Sequence, residues 1–435
     1  MRMQSPASSA GWLCSTRTPR ALRFGFSLVV VLVGLLGSAV AAAASERSWV
    51  GTWATAPIIE NRDATTPDFN RATLRQVVRV STGGSRVRLK LSNAFGRTAL
   101  VLASAELALA TDGSARSEAT AFPLRFNAQP GAAVPAGAVL ISDPIDLPLP
   151  ALADVAITLR IESAPEVITG HPGARATSWW LPTDRVPSDG WGQAHRVDRW
   201  YFITGIDVET ASSPRSIVLL GDSITDGYGV KPATHQRWSD GLSQRLRSDP
   251  ATVDIGVLNL GIGGNRLLRD GNGPNVLARL ERDVLAQTGV RWLVVLAGIN
   301  DIGTRLEARK KGEPYASATE IIGALDQVIT RARSAGIRVY GATITPYEGA
   351  GFYWSEDGEA DRQAVNHWIR ESGRCDAVID FDLALRDPQH PSRLAATFDS
   401  GDHLHPSMAG YAEMARFIDL GLFSAPASSP PLVRP

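Results

Sequence analysis

Residues 216–225 read SIVLLGDSIT, in which an apolar run is followed by Gly221, Asp222 and Ser223. An unbroken apolar run is typical of a strand that is buried on both faces, as in a parallel sheet. Two interpretations of its polar end are open. Ser223 could be a turn residue that caps the next helix, or the turn could expose its hydroxyl as a nucleophile.

The pattern beyond Arg215 repeats this change from a short apolar run to a longer amphipathic stretch. The apolar runs predict strands at 216–220, 255–260, 292–297, 339–344 and 377–381. The amphipathic stretches predict helices at 234–248, 275–287, 317–334, 359–371 and 408–422. Such alternation predicts an α/β fold with a doubly wound (flavodoxin-like) parallel sheet, which we assign to residues 213–423.

The preceding region, residues 47–208, shows the period of two that half-buried strands have. Residues 74–80 (LRQVVRV) and 86–91 (RVRLKL) flank a Gly-Gly turn and predict a β-hairpin. Further strands are predicted at 101–110, 138–145 and 155–161. We therefore predict an accessory domain built as an antiparallel β-sandwich, jelly-roll-like in its topology.

Five aromatic residues cluster where the two regions meet: Trp179, Trp180, Trp191, Trp200 and Tyr201. Tryptophan usually serves burial, which favours packing between the two domains. The alternative is a stacking wall for sugar or acyl groups beside the site.

The first 44 residues predict a secretory signal peptide. They contain four arginines and no acidic residue, with an apolar run at 24–40 and small residues at 41–44. This order is typical of a cleaved signal and favours a secreted or periplasmic protein. An uncleaved membrane anchor is the less favoured alternative, since about 17 apolar residues can just span a bilayer. A lipid anchor at Cys14 is disfavoured, because this cysteine precedes the apolar run.

The composition is that of a globular protein without a charge excess. The 435 residues include 44 basic and 44 acidic ones, which argues against nucleic acid as a partner. Loss of residues 1–44 leaves 40 basic residues against 44 acidic ones, with Cys375 as the remaining cysteine. We therefore expect no intramolecular disulfide and, after signal cleavage, no stable membrane insertion. The Pro- and Ser-rich tail, 424–435, is predicted to be disordered.

Polar residues follow the predicted strands at positions that a doubly wound fold gathers at one edge of its sheet. They are Ser223, the glycine-rich loop 261–264, Asn300, and the pair Asp402 and His405 before the last helix. A serine is a weak nucleophile until a base takes its proton and N–H donors hold the oxyanion. The Asp402 carboxylate could hold Nδ1–H of His405 and leave Nε2 facing Ser223.

Two other chemistries are disfavoured by the same residues. In GIGGNR (261–266), Arg266 stands where a dinucleotide-binding loop requires its third glycine. Asp402, His403 and His405 could ligate a metal, but no further cluster of ligands stands nearby at the required spacing. We therefore expect neither a metal nor a cofactor.

Four blocks in this order identify a resemblance. GDSIT (221–225), NLGIGGN (259–265), AGIND (297–301) and DHLHPS (402–407) resemble the blocks of the SGNH (GDSL-type) hydrolase family. The resemblance covers about residues 215–420.

By position, the resemblance implies a role for each site residue. Ser223 matches the nucleophile, Asp402 the orienting acid and His405 the base. The oxyanion hole is implied to consist of the Ser223 N–H, the Gly264 N–H and the Asn300 side chain. His403 falls on a variable position and is expected to be a neighbour of the base.

The β-rich region carries a second, softer resemblance. WVGTWATAP (49–57) and RVRLKLSNAFG (86–96) are similar to the region that precedes the catalytic domain in a subgroup of secreted esterases of this family. Some relatives in that subgroup are associated with xylan-degrading systems. The implied function is a secreted serine esterase that acts on small-molecule or polysaccharide esters, with acetyl esters of carbohydrates favoured. A lysophospholipase-like lipid esterase and a non-catalytic carbohydrate-binding protein are the alternatives; acyl transfer and the oligomeric state are left open.

Overall fold

The computed structural model describes residues 48–60, 66–110, 120–184, 191–210 and 213–424. The predicted signal peptide at 1–44 and residues 425–435 of the predicted tail lie outside this part of the chain. No helix within the described ranges is long and apolar enough to cross a membrane.

The N-terminal region is built from fifteen strands, β1 to β15, among the residues described. They are β1 (Ser48–Ala54), β2 (Ile58–Glu60), β3 (Ala72–Arg79), β4 (Gly84–Ser92), β5 (Leu100–Ala110), β6 (Phe122–Pro123), β7 (Ala132–Val134), β8 (Val139–Ile141), β9 (Ile145–Leu149), β10 (Asp154–Ser163), β11 (Ile168–His171), β12 (Ser178–Leu181), β13 (His195–Val197), β14 (Trp200–Tyr201) and β15 (Ile203–Thr210).

These strands form two large antiparallel sheets and one small one. The first large sheet has the order β1-β15-β4-β8, and the second has the order β13-β12-β3-β10-β5-β6. Apolar side chains of both, such as Leu89 and Ile157, meet in one buried core. A third sheet, β14-β11-β2, lies beside them. The predicted antiparallel, β-rich region is confirmed, and the jelly-roll-like topology stays a prediction.

The predicted hairpin at 74–91 is wrong. Strand β3 pairs with β10 and β12, whereas β4 pairs with β15, β8 and β9 in the other sheet. The connection crosses between the sheets, and Gly83 lies so close to Leu149 that a Cβ would be 2.4 Å from its carbonyl oxygen. The glycines therefore allow a close approach of two backbone segments and do not form the turn of a β-hairpin. The strand predicted at 138–145 is also split, into β8 and β9.

The clustered aromatic residues pack inside the β-rich region. Trp200 and Tyr201 belong to the sandwich core, and Trp179 and Trp191 to a smaller cluster with Val77. Their burial favours the packing interpretation over a stacking wall. Most of their contacts lie within this region, and the Arg237 guanidinium of the C-terminal region lies over the Trp200 ring.

The C-terminal region contains a five-stranded parallel sheet, as the alternating pattern predicts. Its strands are β16 (Ser216–Gly221), β17 (Gly256–Gly261), β18 (Val290–Leu296), β19 (Arg338–Ala342) and β20 (Ala377–Ile379). They lie in the order β17-β16-β18-β19-β20, which is the flavodoxin-like order of a doubly wound fold. Gly221 pairs with both Gly261 and Leu296, so the loops after the first three strands begin at one edge.

Helices cover both faces of this sheet. They are α1 (Ser223–Asp226), α2 (Trp238–Arg247), α3 (Val276–Leu280) with a following π-turn (Glu281–Leu285), α4 (Ile299–Gly303), α5 (Arg305–Lys311), α6 (Ala318–Ser334), α7 (Glu356–Glu371), α8 (Phe381–Leu385), α9 (Met408–Phe417) and α10 (Gly421–Ser424). Alternate residues of β16 enter different cores: Leu219 packs with α2 and α9, and Leu220 packs with α3, α6 and α7.

The helix boundaries differ from the predicted ones where local geometry intervenes. The helix predicted at 408–422 ends at Phe417, because Ile418 has an extended conformation (ψ 122°). The one predicted at 234–248 begins at Trp238, after the extended Arg237. Helices α4, α5 and α8 were not predicted, since five to seven residues are too few to show a helical period.

The two regions meet at β1 and β17 and form one compact unit. The Gly51 N–H donates to the Thr288 carbonyl (3.0 Å), and the Val257 N–H donates to Ser81 Oγ (2.8 Å). A Cβ at Gly256 would lie 1.9 Å from the Gly51 carbonyl oxygen, so the backbones approach as closely as glycine allows. The β-rich region is therefore packed directly on an edge strand of the parallel sheet.

Candidate active site

The turn after β16 carries Ser223 and is built by its neighbours. Asp222 is the N-cap of α1, and its Oδ1 accepts the Ile224 N–H at 3.0 Å. Gly221 has no room for a side chain, since a Cβ would lie 2.2 Å from Thr225 Oγ1. Ser223 is the first residue of α1, so its N–H has no acceptor within the helix. Asp222 is therefore the cap and Ser223 is not, and Ser223 is buried, with 8% of its surface exposed.

His405 connects Ser223 to Asp402 through its two ring nitrogens. Nε2 lies 2.8 Å from Ser223 Oγ, and Nδ1 lies 2.6 Å from Asp402 Oδ2. The carboxylate accepts the Nδ1–H, which leaves Nε2 as an acceptor for the serine hydroxyl. The predicted residues Ser223, Asp402 and His405 thus form one continuous hydrogen-bonded chain.

The short loop from Asp402 to His405 holds the Asp402 carboxylate in place. Asp402 Oδ1 accepts the backbone N–H groups of Leu404 (3.0 Å) and His405 (2.8 Å). Burial by itself raises the pKa of Asp402, but these hydrogen bonds and the His405 ring outweigh it and lower the pKa to about 2. Burial lowers the pKa of His405, which Asp402 partly opposes. At neutral pH the carboxylate is charged and the imidazole is neutral, as a base must be.

Tyr228 covers the face of the His405 ring. The two rings stack with centroids 4.0 Å apart and an interplanar angle of 27°. Sequence reasoning missed this residue, because a tyrosine five positions after the serine lies outside the four blocks.

Asn300 is held in one orientation on α4, the helix that follows β18. The Tyr353 hydroxyl donates to Asn300 Oδ1 (2.9 Å), and Asn300 Nδ2 donates to the Asn265 carbonyl (3.0 Å). One N–H of the amide remains for a ligand. Gly264 precedes Asn265 and has a φ of +72°, a conformation that favours glycine. The predicted oxyanion residues Asn300, on α4, and Gly264, in the loop after β17, are therefore linked through Asn265.

Two buried charged residues that the sequence analysis missed hold these loops. Arg279 donates to the Gly221 carbonyl (3.0 Å) and to Asn265 Oδ1 (3.0 Å), so it joins the first two loops. Asp301 accepts the backbone N–H groups of Leu267 (2.8 Å) and Leu268 (3.2 Å). Burial raises the pKa of Asp301 to about 6 despite these bonds. An arginine on an amphipathic helix is ordinarily expected at the surface, so no local signal points to Arg279.

His403 has a different partner from His405. Its Nδ1 lies 2.5 Å from Asp399 Oδ2, and about half of its side chain is exposed. Among the residues described, no group of three His, Cys, Asp or Glu side chains could hold a metal ion.

Comparison with known proteins assigns the C-terminal region to a family. Residues 219–413 match the model of the GDSL-like Lipase/Acylhydrolase family. They are a GDSL-like hydrolase domain. The resemblance of the four sequence blocks is confirmed, and the GDSL-like domain makes the protein a carboxylic ester hydrolase.

Solved structures similar to this chain include a G-D-S-L family protein and an acetylxylan esterase. A G-D-S-L family protein from Desulfitobacterium hafniense is 21% identical, over 46% of this chain and 96% of its own, with a TM-score of 0.35. Axe2, an acetylxylan esterase from Geobacillus stearothermophilus, is 23% identical, over 47% of this chain and 93% of its own, with a TM-score of 0.36. A search of curated proteins found no match.

Proposed function

We propose that the GDSL-like domain hydrolyses esters through an acyl-enzyme formed on Ser223. The observation that carries the proposal is the hydrogen-bonded chain from Ser223 Oγ through His405 to Asp402, with distances of 2.8 and 2.6 Å. This geometry suits a base that removes the serine proton while a carboxylate stabilises the imidazolium.

The reaction proceeds in two halves. His405 Nε2 takes the Ser223 proton as Oγ attacks the ester carbonyl, and the oxyanion accepts hydrogen bonds from the N–H groups of Ser223 and Gly264 and from Asn300 Nδ2. The imidazolium then gives its proton to the leaving alcohol, and the acyl group stays on Oγ. Water repeats the sequence and releases the acid. A second alcohol in place of water would give acyl transfer.

We infer that the substrate is a short-acyl ester of a carbohydrate. A cavity of about 260 Å³ is lined by Asp301, the residue after Asn300, and otherwise mainly by charged and polar side chains, among them Arg266, Thr304 and Lys311. Such a lining suits a hydroxyl-rich alcohol better than a long acyl chain.

Exposed aromatic side chains next to the site also favour a sugar. Phe352 is 61% exposed and contacts the ring of Tyr353, whose hydroxyl binds Asn300. Tyr228, stacked on His405, is 48% exposed. Flat, rigid aromatic faces offer apolar area at little cost in conformational entropy, which suits the C–H faces of sugars.

Secretion is part of the proposal and rests on residues 1–44, which have the order of a cleaved signal peptide. Secretion is tested by N-terminal sequencing of the protein recovered from the medium or periplasm of the producing cell. A recovered chain that still begins at Met1 would contradict this part.

The mechanism is tested with a fluorophosphonate and p-nitrophenyl acetate on the wild type, Ser223→Ala and the control Ser334→Ala. Ser334 lies on the exposed face of α6, where its hydroxyl donates to the Thr330 carbonyl. We expect labelling and turnover in the wild type and the control, and neither in Ser223→Ala. Full turnover by Ser223→Ala would overturn the mechanism, and an unlabelled, inactive wild type would favour a non-catalytic binding protein.

The substrate class is tested by rates on p-nitrophenyl esters from C2 to C12, acetylated xylan and a lysophospholipid. Highest rates at C2 and release of acetate from xylan support the proposal. Preference for long chains or the lysophospholipid would favour the lipid esterase.

A further inference from the structure

The β-rich region holds the helix that carries Ser223 through a buried histidine. His171 is the last residue of β11, and Asp226 is the last residue of α1; their side chains are only 4% and 6% exposed. His171 Nε2 lies 2.9 Å from Asp226 Oδ1, and Nδ1 lies 2.9 Å from the Ala56 carbonyl oxygen. The imidazole thus spans from the β-rich region to the end of α1.

The chemistry of the two contacts determines the donors. A carbonyl oxygen only accepts, so the ring must carry a proton on Nδ1. The proton at the other contact lies between Nε2 and Oδ1, on the nitrogen or on the carboxyl group. In either case both ring nitrogens are hydrogen-bonded, and the ring cannot rotate without breaking a buried bond, which is unfavourable.

Further contacts from both regions enclose Asp226. Arg237 Nε donates to its backbone carbonyl (3.0 Å), and Arg175 Nη2 lies 3.6 Å from Oδ2. Gly173 leaves the space that the carboxylate occupies, since a Cβ there would be 1.9 Å from Oδ2. The loop after β11 is therefore shaped around this side chain.

Helix α1 depends on such contacts because it is a single turn of four residues. A helix this short has no stability of its own in water, so tertiary contacts must hold it in place. One end is capped by Asp222, and the other is held by the Asp226 contact to His171. A shift of α1 would move Ser223 Oγ relative to His405, which belongs to a different loop.

We propose that His171 is a positioning residue of the esterase. By holding Asp226, it keeps Ser223 Oγ at hydrogen-bond distance from His405 Nε2. The inference rests on the proposed function, in which Ser223 is the nucleophile. It makes the β-rich region a working part of the active site, whereas an accessory domain would only bind substrate or add stability.

Two variants of one position separate positioning from packing. In His171→Gln the side-chain amide nitrogen takes the place of Nε2 and can still donate to Asp226. In His171→Asn it takes the place of Nδ1, so the bond to Ala56 remains and the bond to Asp226 is lost. A role in packing alone predicts no advantage for glutamine over asparagine in kcat.

His235→Asn is the matched control for His171→Asn, because asparagine cannot replace the contact that Nε2 makes. His235 also forms a histidine–aspartate contact between the two regions, with Nε2 3.3 Å from Asp154 Oδ1. Asp154 lies on β10, away from α1. The control therefore removes a comparable contact and leaves the nucleophile helix held.

The measurements are kcat and KM on p-nitrophenyl acetate, the rate of fluorophosphonate labelling and the Tm. We expect His171→Asn to lower kcat and the labelling rate by about 10- to 100-fold, the effect of a displacement near 1 Å, with KM within about threefold. His171→Gln should retain most of the activity, and His235→Asn should match the wild type. Equal kcat in His171→Asn and His171→Gln, or an equal loss in His235→Asn, would overturn the proposal.

A variant of Asp226 tests the same proposal if the His171 variants do not fold. Asp226→Asn weakens the same contact from the other side, and we expect kcat to fall with KM little changed. Wild-type kcat in folded Asp226→Asn would contradict the proposal. Failure of the proposed function looks different, because the wild type itself would then show no labelling at Ser223.

Discussion

At the scale of single residues, the proposed oxyanion site depends on one amide whose orientation is fixed by its hydrogen bonds. The Tyr353 hydroxyl donates to Asn300 Oδ1, which turns Nδ2 toward the Asn265 carbonyl. The Tyr353 ring packs on α4 at Gly303, where a Cβ would lie 2.0 Å from it. Orientation by a neighbour matters here, because a donor stabilises the transition state only when it is already aimed at the oxyanion.

Loss of the Asn300 amide should lower kcat more than loss of the Tyr353 hydroxyl that orients it. Asn300→Ala should lower kcat by about 10²–10³-fold with KM little changed, since an oxyanion donor is used mainly in the transition state. Tyr353→Phe keeps the ring and the amide and should lower kcat by less. Steady-state kinetics on p-nitrophenyl acetate measure both, with Tyr340→Phe as the control, whose hydroxyl bonds the Leu422 carbonyl outside the site. Unchanged kcat in Asn300→Ala would exclude the amide from the oxyanion hole.

At the scale of elements, the loop from Asp402 to His405 sets the protonation of His405, the proposed base. Two backbone N–H groups and the imidazole hold the Asp402 carboxylate charged, with its pKa lowered to about 2. Burial lowers the pKa of His405, and Asp402 is the group that opposes this effect most. The loop therefore keeps a neutral base next to a charged acid over a wide range of pH.

The pH dependence of kcat/KM follows from the lowered pKa values of Asp402 and His405. Activity requires neutral His405, so it should rise with pH through the pKa of His405, with a midpoint below the ordinary histidine value of about 6.5. Asp402→Asn removes the charge that raises this pKa, so the midpoint should move lower. It also removes the acceptor that selects the tautomer, so the plateau should fall by about 10⁴-fold. A midpoint above 7 in the wild type would contradict the burial of His405 as the dominant effect.

At the scale of the whole molecule, the two regions are joined too closely to act as separate modules. Strand β1 lies against β17, and hydrogen bonds between the regions also link Lys90 to Thr288 (2.7 Å) and Arg282 to the Pro57 carbonyl (3.1 Å). The catalytic sheet thus has the β-sandwich as a neighbour, and contacts from it reach α1 through His171.

This interface predicts a strong effect of one added methyl group. Gly256→Ala would place a Cβ against the Gly51 carbonyl and should lower the free energy of unfolding by about 1–3 kcal/mol, a typical cost of overpacking. Gly323→Ala is the control, because nothing lies within 4 Å of a Cβ at that position of α6. Alanine is the better helix former, so the control should be neutral or stabilised by up to about 1 kcal/mol. Urea unfolding measures both; equal stability of the two variants would mean that the regions can separate at this point.

The sequence predicted the parts of the site that depend on local pattern and chain order. Alternation of apolar runs and amphipathic stretches predicted the parallel sheet, and the position of each loop after a strand predicted which residues meet. It missed Tyr353, Tyr228 and Arg279, since their contacts cross long stretches of chain and leave no periodic signal. The predicted hairpin at 74–91 was wrong for the same reason, because a period of two indicates a strand but does not identify the strand with which it pairs.

What the sequence determined by itself is therefore the class of fold and the chemical inventory: Ser223, Asn300, Asp402 and His405, each placed after a strand or before the last helix. The tertiary structure alone decided how the site is held. Buried groups such as Arg279, Asp301 and His171 take their partners from distant segments, and the enclosed environment both shifts the pKa of His405 and aligns its nitrogen with Ser223. Burial and hydrogen-bond geometry are properties of the packed chain, so no local pattern encodes them.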